Sequence, residues 1–374
     1  MILQPVIIFC GSTAALLSSV SLKNNIFHFH SSSCYNFDKK NMAPLRIGIN
    51  GFGRIGRVSF RVMMNRKDID VVAINDLTDA RTLAHLLKYD SVHGRFDGEV
   101  SADDSNLYVN GKKIPVTAEK DPAKLQWKKY GADLVVESTG RFLDMASATL
   151  HLNAGAKKVI LSAPPHGNDV KAVVMGVNDS ILTKDDVIVS NASCTTNCAA
   201  PMIKVLDDNW GIEDGYITTV HSYTGDQRLH DAPHKDLRRA RAAAMSMIPT
   251  STGAAKAITR IFPHLEGKLG GCGIRVPVPD GSLTDITCVL KKEVSVKEIN
   301  AAFKKAAEGE LKSILEYTED PIVSIDCVGN PHSCVYDAEF TSIVGNMVKV
   351  LGWYDNEFGY SNRLVDLAIK LMQN

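Results

Sequence analysis

The 374-residue chain has no net charge: 42 lysines and arginines balance 42 aspartates and glutamates. With no global field to draw in nucleic acid or an anionic membrane surface, its expected partners are small molecules or other copies of itself. Long apolar runs are missing too. Pro5–Val20 is apolar, but its glycine and serines make it a poor membrane-spanning helix. Cysteine is sparse, eight residues at irregular spacing, which argues against a disulfide framework and for a reducing compartment. No cluster of zinc ligands stands out. His230 and His234 are interrupted by Pro233 and have no companions, so no metal is expected. Repeats and low-complexity segments are likewise absent. What is present is 45% hydrophobic residues over a length that suits two ordinary domains.

Residues 1–41 differ in kind from the remainder. Their apolar segment is followed by a serine- and asparagine-containing stretch with almost no acid, the composition of a targeting leader. No positive charge precedes the apolar run, however, and Met42 directly precedes the first strand. The same residues therefore also read as a non-native extension. The leader reading predicts a plastid or another organelle, and a start at Met42 predicts the cytoplasm.

From Leu45 the pattern is strand, turn, helix, strand. Leu45–Asn50 is a short buried strand, Gly51-Phe-Gly-Arg-Ile-Gly56 a glycine turn, Val58–Met64 a helix and Ile69–Asn75 the next strand. Asp76 closes that strand some twenty residues past the turn, the arrangement of a dinucleotide site. Gly51 permits the tight turn, Gly53 lets a pyrophosphate approach the backbone, and Gly56 lets helix and strand pack closely. Asp76 would accept hydrogen bonds from the adenosine ribose.

Strands are expected at Ala132–Ser138, Lys158–Ser162, Lys171–Met175 and Val187–Ser190, with a helix at Ala146–Leu152. This alternation predicts an α/β fold with a doubly wound parallel sheet. After a helix beginning near Cys194 the order changes to successive strands that alternate apolar with polar residues. These lie at Tyr216–His221, Gly271–Val276, Leu283–Leu290, Pro321–Ile325 and Met347–Tyr354. A second domain thus begins near Cys194, and Arg363–Leu371 is an amphipathic helix that covers a core surface.

Ser193-Cys-Thr-Thr-Asn-Cys198 carries the chemistry. Cys194 closes an apolar strand and opens a helix, where backbone N–H groups and the dipole favour a thiolate. Cys198, four residues on, fits packing. Pro201 removes a backbone donor inside this helix and is expected to disturb it. His221 ends a strand and is the residue type that pairs with a thiolate and moves a proton. The basic run Lys235–Arg241, with Thr252, Gly253 and Arg275, offers the donor mixture that holds phosphates.

From about Pro44 onward the chain resembles the phosphorylating glyceraldehyde-3-phosphate dehydrogenases, the bacterial branch most. Asn50–Arg57, Ser193–Cys198, His221–Thr224, Asp236–Arg241, Ser251–Lys256 and Trp353–Glu357 carry the likeness. The resemblance implies that Cys194 attacks the aldehyde of glyceraldehyde 3-phosphate, with His221 raising its reactivity. Hydride then passes to NAD, and inorganic phosphate cleaves the thioester. It assigns Ser193, Thr195, Thr224, Arg239, Thr252, Gly253 and Arg275 to the substrate phosphate and the attacking phosphate. Asn50, Gly51, Gly53, Arg54, Ile55, Gly56, Asp76, Lys120, Ser162 and Asn356 fall to the cofactor, Asn356 near the nicotinamide amide. The implied architecture is a Rossmann cofactor domain, 44–193, completed by the C-terminal helix 357–374, and an α+β catalytic domain, 194–356, with a mixed, largely antiparallel sheet. The implied assembly is a homotetramer whose Tyr223–Met247 loop reaches a neighbouring cofactor. Erythrose-4-phosphate dehydrogenase shares this chemistry and is the rival enzyme; a dinucleotide-binding interaction protein without turnover is the rival from another class.

Overall fold

In the computed structural model, which describes residues 43–373, the strand-turn-helix pattern opens with β1 (Leu45–Asn50) and α1 (Arg54–Met64). The leader or extension read at residues 1–41 lies outside the described residues. Ile47, Gly48, Ile49 and Asn50 are all buried, as expected of a strand covered on both faces. Gly48 is needed there, because an added Cβ would stand 2.7 Å from the Trp127 ring.

The chain continues through β2 (Ile69–Asn75), α2 (Ala80–Lys88), β3 (Val100–Ala102), β4 (Asn106–Val109) and β5 (Lys112–Thr117). Next come α3 (Trp127–Tyr130), β6 (Leu134–Glu137), α4 (Met145–Asn153), β7 (Lys158–Leu161), β8 (Lys171–Ala172) and β9 (Ile188–Ser190). Among the described residues these strands form a nine-stranded sheet ordered β3-β4-β5-β2-β1-β6-β7-β9-β8. It is parallel from β5 to β8, with β3 and β4 as an antiparallel edge. Strand order reverses between β1 and β6, so the carboxyl ends of these strands border a crevice, the usual ligand position in such sheets.

The second half contains α5 (Cys194–Trp210), β10 (Ile212–Ser222), β11 (Ile248–Thr250), α6 (Ala254–Ile261), β12 (Leu269–Val276) and β13 (Ser282–Leu290). It ends with α7 (Val296–Glu308), β14 (Leu315–Thr318), β15 (Cys334–Val344), β16 (Met347–Tyr354) and α8 (Phe358–Gln373). Its seven described strands are ordered β11-β12-β10-β13-β16-β15-β14. Four of the pairings are antiparallel, while β10–β12 and β14–β15 are parallel. The sheet is mixed and largely antiparallel, and α5 packs its buried face against it.

Two expectations are corrected. Pro321–Ile325 is not a strand: Pro321 has no N–H for a ladder, and the Asp326 carboxylate takes the Val323 N–H at 2.8 Å, winding Ser324–Cys327 into a 3-10 turn. The strand expected to reach Met175 stops at Ala172, because the Asn178 side chain takes the Val174 N–H at 2.7 Å and donates to the Ala172 carbonyl at 3.0 Å. Pro201 lies inside α5, which continues to Trp210.

The final helix, α8, returns to the first sheet and lies along α1. Arg66 meets Asp366 at 3.4 Å, and Lys158 Nζ donates to the Leu371 carbonyl at 2.6 Å. Among the described residues no helix is long and apolar enough to cross a membrane.

Candidate active site

Cys194 is the first residue of α5, reached through a left-handed turn at Ala192, φ +54°. A non-glycine residue there stores about 1–3 kcal/mol of strain and persists only where its surroundings hold it. The surroundings are visible: Ala192 N–H donates to Ser190 Oγ at 3.0 Å, and the Tyr360 hydroxyl of α8 donates to the Ala192 carbonyl at 3.1 Å. Ser193 caps α5, its Oγ accepting the Thr196 N–H at 3.1 Å. The sulfur of Cys194 is thereby fixed at the positive end of a 17-residue helix.

His221 reaches that sulfur from the end of β10, with Nε2 at 3.4 Å from Sγ. His221 and Arg275 are register partners on the parallel strands β10 and β12, which sets the guanidinium beside the imidazole. Nδ1 lies 2.7 Å from the Ser222 carbonyl and 2.6 Å from Arg275 Nη1, which also donates to that carbonyl at 3.0 Å. Protonated, Nδ1 donates to the carbonyl and leaves Nε2 as a base facing the thiol; unprotonated, it accepts from Arg275 and Nε2–H faces the sulfur.

The thiolate favoured by the helix end meets an opposing effect. Burial pushes the Cys194 thiol up to about 11, with Arg275 and local hydrogen bonds pulling the other way. Burial, then Arg275, pushes His221 down to about 3. Either charge alone is therefore disfavoured. Proton transfer across the 3.4 Å contact creates both charges together and lets each offset the other's desolvation.

At the glycine turn, Gly51 has φ +91°, and a Cβ on it would sit 2.7 Å from the Thr139 nitrogen. A Cβ on Gly56 would lie 2.2 Å from the Gly51 carbonyl oxygen, whereas one on Gly53 would meet nothing within 4 Å. The turn is thus closed on its packing side and open at Gly53, beside the free N–H groups that begin α1, a cradle that fits a pyrophosphate. Asp76 accepts the Phe52 N–H at 2.7 Å and the Thr78 N–H at 2.9 Å, which orients its carboxylate beside the turn. Ile55 lies in the first turn of α1, Ser162 follows β7, and exposed Lys120 follows β5 at the edge nearest Asp76.

Arg54 is held by Glu357 at 2.6 Å and Asp90 at 2.5 Å. Burial works against its charge, but these two carboxylates raise its pKa further above the ordinary arginine value. Asn50 is not at the mouth of the turn. It is buried beneath it, donating to Glu137 at 2.6 Å and accepting from Asn75 at 2.7 Å.

The anion-binding candidates gather beside His221. Arg239 donates to Asp226 at 2.6 Å and to Thr250 at 2.9 Å, and Thr224 bonds the same Asp226. Thr252 Oγ1 accepts the Ala254 N–H at 3.2 Å, and Gly253 caps α6 with open space at its Cβ position. Thr195 turns inward instead, its hydroxyl 2.9 Å from Tyr354 Oη.

Several further residues support these groups. The Tyr354 hydroxyl also meets Thr219 at 3.0 Å, and its ring stands edge-on to His221. Asn356 Oδ1 accepts from Ser222 Oγ at 2.7 Å and Ser282 Oγ at 2.6 Å. Behind it, His93 lies 3.1 Å from Glu357, 3.6 Å from Asp280 and 3.9 Å from Asp355. Burial, then Asp355, pushes the Asp280 carboxyl up to about 9, so it keeps its proton at neutral pH. Within the run Trp353–Glu357 the sequence assigns a role only to Asn356. The six cysteines among the described residues are free.

Residues 45–145 match the NAD binding domain of glyceraldehyde 3-phosphate dehydrogenase, and residues 193–356 match its C-terminal domain. The chain is 59% identical over 326 residues to glyceraldehyde-3-phosphate dehydrogenase 1 of Bacillus subtilis (strain 168), covering 87% of this chain and 97% of the relative. It is 60% identical over 326 residues to glyceraldehyde-3-phosphate dehydrogenase of Geobacillus stearothermophilus, with the same 87% and 97% coverage. The enzyme of that name from Streptomyces coelicolor is 56% identical over 329 residues, covering 87% of this chain and 98% of the relative. With a cysteine at a helix start, a histidine on its sulfur and a glycine-turn cradle all inside these matched regions, the chain belongs to the glyceraldehyde 3-phosphate dehydrogenase family.

Proposed function

We propose that the chain oxidises D-glyceraldehyde 3-phosphate to 1,3-bisphosphoglycerate with NAD and inorganic phosphate, using Cys194 as nucleophile and His221 as its base. The 3.4 Å contact between Cys194 Sγ and His221 Nε2 at the start of α5 carries this reading. Cys194 adds to the aldehyde carbon as Nε2 takes the thiol proton, giving a thiohemiacetal whose oxygen is steadied by the imidazolium. Bound NAD supplies the hydride acceptor. The imidazolium first gives its proton to the thiohemiacetal oxygen, and neutral His221 then takes it back as hydride leaves the carbon and the thioester forms on Cys194. A phosphate oxygen then attacks the thioester carbon, the C–S bond breaks, and the sulfur leaves as the thiolate. When substrate phosphate draws the Arg275 guanidinium, Nδ1 is left to the Ser222 carbonyl and Nε2 to the sulfur.

Arg275, Arg239, Thr224, Thr252, Gly253, Ser193 and Thr195 are assigned to the two phosphates. Thr195 is assigned through its backbone N–H at the start of α5, its hydroxyl facing Tyr354. Gly51, Gly53, Arg54, Ile55, Gly56, Asp76, Lys120, Ser162 and Asn356 are assigned to NAD, with Asn50 supporting the turn from below. The domain division runs 44–193 with 357–374 for the cofactor and 194–356 for catalysis. The working assembly is a homotetramer.

The test is NAD reduction by D-glyceraldehyde 3-phosphate with and without inorganic phosphate, beside D-erythrose 4-phosphate as competitor. Phosphate-dependent turnover favouring the triose is expected. Higher efficiency with the tetrose would assign the rival enzyme, and cofactor binding without turnover the interaction protein.

A further inference from the structure

Asn356 is only 5% exposed, and its two amide ends are treated differently. Oδ1 accepts two hydroxyls, Ser222 Oγ at 2.7 Å and Ser282 Oγ at 2.6 Å, both from fully buried serines. Nδ2 makes no hydrogen bond to any described residue. The serines are themselves locked: Ser282 Oγ accepts the Ser222 backbone N–H at 3.1 Å, which leaves its own proton for Asn356. A flipped amide would set the Nδ2 donor against two hydroxyls that donate to Oδ1 and carry Oδ1 away from both, which is costly.

We propose that Ser222 and Ser282 are positioning residues that fix the amide of Asn356, so that the cofactor is met by a hydrogen-bond donor and recognised through the carbonyl oxygen of its carboxamide. This rests on the placement of Asn356 at the nicotinamide proposed above. Ser222 does this while its backbone carbonyl serves His221 and Arg275, so one residue references the cofactor amide and the catalytic imidazole to the same point on β10. The two serines come from adjacent antiparallel strands, β10 and β13, and meet under Asn356 just beyond β16.

The chemistry gives a readout that a purely structural role would not move. The 3-acetylpyridine analogue of NAD keeps the carbonyl oxygen and replaces the NH2 by a methyl group, so it can bind a donor but offers nothing to an acceptor. Wild-type enzyme should bind both cofactors with similar dissociation constants, measured by calorimetry on the full chain without substrate. In S222A/S282A the amide is released, and Oδ1, deprived of its donors, turns to the carboxamide NH2. The ratio of analogue to NAD dissociation constants should then rise about tenfold, the worth of one neutral hydrogen bond. N356D offers only acceptors and should raise the same ratio whether or not the serines position it. If N356D leaves the ratio unchanged, Asn356 does not face the carboxamide and the cofactor placement fails. If N356D raises it and the serine variants do not, the positioning inference is overturned. Should the double variant not fold, S222A and S282A singly carry the same ratio test with a smaller rise.

Discussion

Cys194 differs from its fellow cysteines in what surrounds the sulfur rather than in depth alone. Cys198, Cys288, Cys327 and Cys334 are buried among apolar neighbours, and burial pushes Cys288 and Cys327 up to about 12. Cys194 is half-buried, faces a histidine, and sits at a helix start. Brief iodoacetate treatment followed by peptide mass spectrometry should find carboxymethyl on Cys194 first, and C194S should lose aldehyde turnover by at least about a thousandfold, as expected for loss of a nucleophile. Label on another cysteine that tracks the loss of activity would remove the assignment. The pH dependence follows from the direction of the shifts. In H221N the thiol keeps the burial that raises it, opposed by Arg275 and the hydrogen bonds at the helix start, and has no base to take its proton. Alkylation of H221N should therefore climb about tenfold per pH unit through neutrality. In wild type the proton has a place to go inside the pair, so the rate should level off at lower pH and exceed that of H221N at pH 6. Identical profiles would show that the pair does not titrate together.

The glycine turn and β1–α1 were legible in the sequence because their glycines answer steric demands that no other residue meets: Gly51 at φ +91° and Gly56 against the Gly51 carbonyl. Other elements hid. β15 is buried on both faces from Cys334 to Ala338, so it shows no alternation, and α7 announces itself chiefly through the Ser295–Glu298 capping box. Pro321–Ile325 looked like a strand because β-branched residues crowd there, but Asp326 captured its backbone first. The site divides the same way. Cys194 and His221 declare their chemistry by residue type, whereas Ser222 and Tyr354, though inside motifs, and Ser282 use their side chains on partners 60 or more residues away in sequence. The end of β2 makes the clearest prediction among the elements. The Asp76 carboxylate, oriented by the Phe52 and Thr78 N–H groups, would face the 2′-phosphate of NADP, and like charges so placed cost several kcal/mol. The ratio of kcat/KM for NAD over NADP should thus exceed ~100, and D76G should move it toward NADP. A wild-type preference for NADP would refute this reading of Asp76.

Among the described residues, the most exposed large apolar side chains fall in one loop: Leu229, Leu237, Met245 and Met247 all lie between Tyr223 and Ile248. Clustered exposed apolar groups mark a surface that another molecule covers, and the proposed tetramer supplies the cover. Sedimentation equilibrium should give four chains per particle for wild type and fewer for L237D/M245D; a wild-type monomer with full activity would dismiss the assembly. The loop's reach also predicts that NAD affinity weakens as that variant dissociates. A different consequence follows from α8. This last helix lies along α1, and its Tyr360 hydroxyl holds the strained Ala192 turn that delivers Cys194. Synthesis proceeds from the other end. While the ribosome still conceals residues 358–373, the dinucleotide module lacks a wall and the nucleophile's turn lacks its clamp. Until α8 is made and docked, the polypeptide therefore has a cysteine but no organised site, and chemical competence arrives with that helix.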